Sequence, residues 1–178
     1  MTDIMIPAWV DHTLTPVEKY DAHYRGLKHK AISVFVLDNQ DRILLQQRAM
    51  CKYHTPGQWA NTCCTHPHWD EASETCALRR LEEELGLTGV SLEHKGVVEY
   101  RAAVGDDMIE HEVVDLFVGR YDGPISLGLN PEEVMATRWV SLDDLRKNIA
   151  ADPAAFTPWL RIYLEQHSDM VFREMAAV

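Results

Sequence analysis

The chain is predicted to be an α+β protein, a mixed α/β arrangement in which a β-sheet is flanked by helices. Short apolar or alternating runs of strand length recur at 31–37, 43–47, 95–103, 108–119 and 134–140. Helical apolar periodicity takes over only between and after these runs. The two types follow one another in mixed order rather than in strict strand–helix alternation. The 178 residues, 46% hydrophobic and 25% charged, fit one domain over 1–178 with a core large enough to need no disulfide staples.

Residues 1–30 read as an irregular segment carrying His12, His23 and His29 and a basic patch of Arg25, Lys28 and Lys30. AISVFVL at 31–37, the turn signal DNQDR at 38–42 and ILLQQ at 43–47 predict a hairpin. A polar loop with Pro56 and Gly57 follows to about residue 60. From Glu71 to Leu85 the spacing of Leu78, Leu81 and Leu85 predicts a helix, closed by Gly86 and opened by a cap at Asp70 or Ser73. Strands return at 95–103, 108–119 and 134–140. Ser141, with Asp144 three residues on, opens a second helix. After Pro153 a last helix over 154–167 carries Phe156, Trp159, Leu160, Tyr163 and Leu164.

A formal charge of −11 argues against nucleic acid or an anionic membrane as partner, since both repel an acidic surface. An anionic substrate then needs a local basic pocket or a metal. No run approaches the roughly 18 to 20 apolar residues of a membrane span, and the N-terminus lacks a basic-then-apolar leader. A cytoplasmic protein, monomer or homodimer, is expected. The cysteines Cys51, Cys63, Cys64 and Cys76 form no CxxC pair of the structural-zinc kind, and a disulfide framework is not expected.

The helix ends in the acidic run Glu82, Glu83, Glu84. Taken alone it is as consistent with a solvated charged face as with a site, and Arg80 and Glu84 are spaced to pair. The frame around it is more specific. Glu71, seven residues, Arg79, Arg80, Leu81, Glu82, Glu83, Glu84, Leu85, Gly86, Leu87 resembles the Nudix box, with two departures. Thr65 stands where the box begins with glycine, and Arg80 stands where the hydrolytic members keep a metal-binding glutamate. A cation there repels a metal, which argues against the usual hydrolysis.

EKYDAH at 18–23, KHKA at 28–31, LLQQRA at 44–49, PGQWANTCCTHP at 56–67, EYR at 99–101, EHEV at 110–113 and AFTPW at 155–159 together resemble type 1 isopentenyl-diphosphate isomerase, a Nudix-fold family that moves a double bond. The resemblance runs from about Glu18 to Trp159. It implies a Nudix-type mixed sheet and the interconversion of isopentenyl and dimethylallyl diphosphate for isoprenoid biosynthesis.

Glu110 and Glu112 are two apart on a predicted strand, so both leave the same face and are free to converge on one cation. With His23, His29 and His66 they make a nitrogen and oxygen set suited to Mn²⁺, Mg²⁺ or Zn²⁺, and the resemblance implies that these five hold the family's tightly bound metal. His23 and His29 come from the 1–30 segment. His12, His54, His68, His94, His111 and His167 are read as surface or packing residues. The resemblance further gives Glu84 to a Mg²⁺ that arrives with the diphosphate, and Lys19, Arg48 and Lys52 to the diphosphate itself. Cys64 and Glu112 become the proton-transfer pair on opposite faces of the substrate, with Tyr100 beside Glu112. Glu112 is favoured as donor and the direction is left open. Trp159 becomes the pocket aromatic that stabilises a cationic carbon, Trp59 is a weaker candidate for the wall, and Asn61 has no assigned role. A Nudix pyrophosphohydrolase would keep a glutamate at Arg80, and a non-catalytic diphosphate-binding module would not need Cys64 and Glu112 together.

Overall fold

The computed structural model describes residues 4–121 and 127–172. Its beginning corrects the sequence expectation. Residues 5–24 are not irregular: β1 (Met5–Val10) and β2 (Thr13–Glu18) pair antiparallel along their whole length, and α1 (Lys19–Tyr24) follows, capped by the Glu18 carboxylate accepting from the amides of Tyr20 and Asp21. The hairpin turns on Asp11 and His12, both at positive φ (48° and 66°). A two-residue turn of that hand ordinarily announces itself with Asn-Gly or Asp-Gly, and Pro7 opposite Pro16 removes two more strand signals.

The remaining elements are β3 (His29–Leu37), β4 (Ile43–Arg48), β5 (Trp59–Ala60), β6 (Cys63–Thr65), α2 (Ser73–Leu85), β7 (Ser91–Gly105), β8 (Met108–Arg120), β9 (Val134–Val140), α3 (Leu142–Ala151), a short 3₁₀ turn (Pro153–Ala155), α4 (Pro158–Gln166) and α5 (Ser168–Phe172). β3 is the organising strand. It runs parallel to β8 from His29↔Glu112 to Leu37↔Arg120, and antiparallel to β6 through Ser33↔Cys64. The predicted 31–47 hairpin is only a corner: β3 and β4 pair at Leu37↔Ile43 alone, after which β4 aligns with β9 and β5. Asp38 shapes this corner by accepting from the amides of Gln40 and Arg42 and from Arg42 Nε. β7 and β8, expected from the sequence as strands at 95–103 and 108–119, pair antiparallel as a long hairpin.

The unbroken apolar run of β3 reflects a strand covered on both faces. Phe35 and Leu37 turn to one side with Ile43 and Leu45, under Leu145, Leu160, Tyr163 and Phe172 of the C-terminal helices. Ile32, Val34 and Val36 turn to the other with Leu44, under Cys76, Ala77, Leu81 and Leu85 of α2. The period-two alternation of strands therefore builds two cores from one run. Leu78 is not part of the second core as the spacing predicted; it is 41% exposed, because Ala77, Leu81 and Leu85 at intervals of four already fill the seam. Neither Asp70 nor Ser73 caps α2. Ala72 holds the N-cap position without a side-chain bond, Asp70 is in the left-handed region at φ 66°, and Ser73 Oγ donates to Asp115. Ser141 does cap α3, accepting from the Asp144 amide.

Gly86 ends α2 at φ 64°, and a Cβ there would stand 2.7 Å from the Gly128 amide nitrogen. That approach lets Gly128 N and Asn130 N bond the carbonyls of Leu85 and Glu84, fixing the helix end that carries Glu84. Gly86→Ala is expected to destabilise the protein by about 2 kcal/mol or more, the left-handed penalty plus a backbone clash. Urea unfolding measures this, and a loss below about 0.5 kcal/mol contradicts it.

Candidate active site and metal centre

A helix, two strands and the segment after β6 bring three imidazoles and two carboxylates together. α1 supplies His23, the first residue of β3 supplies His29, and β8, where every second residue from Met108 to Glu112 is buried, supplies Glu110 and Glu112. His66 arrives just beyond β6. One ligand atom from each of His23, His29, His66 and Glu110 lies within 4.8 Å of the others. Glu112 flanks the group: its Oε1 is 2.9 Å from His66 Nε2 and 3.7 Å from His29 Nε2.

The donor set suits a cation. His23 Nδ1 and His29 Nδ1 face the carbonyls of Lys19 and Leu27 at 2.6 and 2.7 Å. A carbonyl only accepts, so both rings carry their hydrogen outward and turn the Nε2 lone pair inward, the arrangement of metal-bound histidines. His23 Nε2, His29 Nε2 and Glu110 Oε2 are buried without a hydrogen-bond partner, although such atoms are ordinarily satisfied. The electrostatics agree. Burial drives the Glu110 carboxyl up, yet the surrounding histidines outweigh it and hold it well below the usual carboxylate range. Burial also opposes charge on His29, and the nearby carboxylates of Glu110 and Glu112 overcome it, raising the ring to about 10, so that without a metal a proton takes the inward Nε2 position. Burial, followed by the Glu110 charge, lifts Glu112 to about 7. Two neighbouring buried carboxylates call for positive charge, from a proton or a metal.

Sequence reasoning missed His54. It is no surface residue: it is buried, with Nε2 3.2 Å from Glu110 Oε1, and burial lowers it to about 3. Its loop has no periodicity, so only the folded chain reveals it. His111 does face away, onto Glu99.

A cavity opens beside this cluster, and Cys64, Tyr100, Glu110, Glu112 and Trp159 line it together with the cations Lys19, Arg48 and Lys52. Tyr100 is the cross-strand partner of Glu112, and its hydroxyl donates a very short bond to Glu112 Oε2. Burial drives the Tyr100 phenol up, so it stays a donor. Cys64 Sγ donates to Asn61 Oδ1 at 3.0 Å and lies 3.1 Å from Ser33 Oγ. Asn61 Nδ2 in turn donates to Ser33 Oγ and to the Val34 carbonyl, which orients the amide with its oxygen toward the thiol. Burial pushes the Cys64 thiol up. Asn61, without a role in the sequence reading, is thus the residue that holds Cys64. Trp59 does not line the cavity. It packs under Arg138 at 4.2 Å, and its carbonyl accepts from the Thr157 amide, two residues before Trp159.

The cationic end of the cavity is neutralised from within. Arg80 bonds Glu84 Oε1 at 2.7 Å and Glu133 Oε1 at 3.1 Å, Gln46 donates to Glu84 Oε2 at 3.0 Å, and Lys52 meets Glu133 Oε2 at 2.6 Å. Both oxygens of Glu84 are therefore engaged. Burial, then the charges of Lys52 and Arg80, lowers Lys19 to about 8. Among the described residues, no helix is long and apolar enough to cross a membrane.

Residues 27–160 match the family model of the NUDIX domain. Nearly the whole chain is similar to curated isopentenyl-diphosphate Delta-isomerases. It is 60% identical over 173 residues to that of Roseobacter denitrificans, covering 97% of this chain and 98% of the relative. To that of Rhodobacter capsulatus it is 56% identical over 177 residues, covering 99% and 100%. Among solved structures it resembles a protein of Deinococcus radiodurans with TM-score 0.71 at 14% identity, over 89% of this chain and 96% of that one, which speaks for the fold alone. The MutT NUDIX hydrolase of Burkholderia pseudomallei aligns with TM-score 0.58 at 27% identity, over 78% and 97%.

Proposed function

This chain belongs to the NUDIX family and, within it, to the isopentenyl-diphosphate Delta-isomerases, and we propose that it interconverts isopentenyl and dimethylallyl diphosphate by adding one proton and removing another. The observation that carries this reading is the convergence of Cys64 and Glu112 on one cavity that also gathers Lys19, Arg48 and Lys52. A hydrolase needs no thiol there, and Arg80 stands where the hydrolytic members keep a metal-binding glutamate.

In this reading the diphosphate binds Lys19, Arg48 and Lys52, which supply local positive charge within an acidic protein. Isoprenoid biosynthesis in the cytoplasm is the setting this substrate implies. Glu84 would hold a Mg²⁺ carried by the diphosphate. The hydrocarbon end lies between Glu112 and Cys64. Protonation of the terminal alkene carbon leaves a tertiary carbocation, and loss of a proton from the allylic carbon completes the shift. An unactivated alkene is a poor base, so the acid must be positioned and water kept away. Tyr100 and His66 orient the Glu112 carboxyl, and Asn61 and Ser33 orient the thiol. Trp159, 2% exposed, turns its ring toward the Arg48 guanidinium at 5.3 Å, and the same kind of face stabilises a cationic carbon. His23, His29, His66, Glu110 and Glu112 would hold a divalent ion, which would supply charge to balance the carboxylates and polarise Glu112; the mixed nitrogen and oxygen set suits Mn²⁺, Mg²⁺ or Zn²⁺.

Incubation of the protein with isopentenyl diphosphate and Mg²⁺ in D₂O, followed by NMR, is expected to give dimethylallyl diphosphate carrying deuterium. Release of phosphate instead supports a hydrolase, and binding without turnover a non-catalytic module.

A further inference from the structure

His54 has no part in the reaction described above, yet it is buried against the metal cluster. We infer that His54 is a positioning residue for the metal site, holding one oxygen of Glu110 so that the other faces the ion; this rests on the reading that the cluster binds a metal. The two oxygens of Glu110 are divided between neighbours. His54 Nε2 stands 3.2 Å from Oε1, whereas His23 Nε2 and His29 Nε2 approach Oε2 at 3.2 and 3.5 Å. Oε2 is the buried atom without a hydrogen-bond partner. His54 lies outside the compact set of His23, His29, His66 and Glu110, so it acts on the ion through Glu110.

The tautomer follows from the neighbours. An ionised carboxylate only accepts, so the nitrogen facing it carries the hydrogen, and in a neutral ring Nδ1 is then an acceptor. Thr55 Oγ1 lies 3.1 Å from Nδ1 and has a proton to give. Thr55 Oγ1 therefore donates to His54 Nδ1, and His54 turns its Nε2–H toward Glu110 Oε1 at 3.2 Å. This is opposite in sense to His23 and His29, whose hydrogens point away from the cluster. The ring is clamped as well. It stacks on His23 with centroids 5.6 Å apart and meets Trp159 edge-on at 6.0 Å. Arg48 Nη2 donates to the His54 carbonyl at 3.2 Å, pinning the loop. A residue that orients a metal-bound carboxylate typically contributes about 10–100-fold in metal affinity.

The test titrates the metal-stripped protein with Mn²⁺, reading free Mn²⁺ by electron paramagnetic resonance, with no turnover required. His54→Leu is expected to weaken binding about 10–100-fold. His54→Gln, which keeps an N–H donor near the same oxygen, is expected to recover most of the loss, with both variants unfolding in urea like the parent when metal-free. Leucine binding Mn²⁺ as tightly as the parent overturns the inference, as does an equal loss in both variants. If the parent itself fails to bind Mn²⁺, the metal reading falls and this inference falls with it.

Discussion

Glu112→Gln is expected to lower turnover of isopentenyl diphosphate by about 10³-fold or more, since general acid–base groups supply about 10²–10⁴-fold and this one also faces the metal. The amide has the shape of the carboxyl. It still accepts from the Tyr100 hydroxyl and still packs beside His66, the two contacts that hold Glu112 in place. What it cannot do is take up or release a proton at alkene carbon. Circular dichroism and urea unfolding should be close to those of the parent, because no cavity opens and no buried charge loses its only partner; the neighbouring Glu110 is relieved of a like charge. Glu112→Asp should fall between, keeping the acid but withdrawing it by one methylene. Turnover by Glu112→Gln above about a tenth of the parent rate would remove Glu112 from the chemistry.

How legible such a site is in sequence depends on whether its geometry is local. Glu110 and Glu112 are legible because strand alternation alone puts them on one face, and the burial pattern of β8 follows that alternation. The apolar run of β3 likewise announces a strand covered on both sides. The pairing of His29 with Glu112 and of Ser33 with Cys64 is not local; it follows from β8 and β6 joining β3 from distant segments. The family resemblance, not periodicity, brought His23, His29 and His66 into one set. His54 and Asn61 escaped both routes, one in an aperiodic loop and the other two residues before β6, and their partners are fixed only when the sheet closes. The β1–β2 hairpin was hidden for a different reason: its turn uses Asp11 and His12 in a conformation most often marked by glycine, and its prolines sit where no ladder donor is needed.

Cys64→Ala should also reduce isomerisation by about 10²–10⁴-fold, and in D₂O it separates the two proton transfers. The reaction has two halves on opposite faces of the substrate. If Glu112 adds the proton at the terminal alkene carbon and Cys64 removes one from the allylic carbon, the alanine variant still forms the carbocation but cannot complete the second half. The cation then returns to isopentenyl diphosphate by giving a proton back to Glu112. Because the new methyl group holds one proton from solvent and two original ones, that return washes deuterium into the terminal alkene carbon of recovered substrate while little dimethylallyl diphosphate appears. Glu112→Gln, lacking the first half, should show neither exchange nor product. If Cys64 is the donor, the pattern inverts, and exchange survives in Glu112→Gln but not in Cys64→Ala. The structure gives the alanine variant a fair test. Asn61 keeps its bonds to Ser33 and Val34 without the thiol, and an S–H is a weak donor whose loss costs little. Isomerisation by Cys64→Ala at the parent rate would assign the second proton transfer to another group in the cavity.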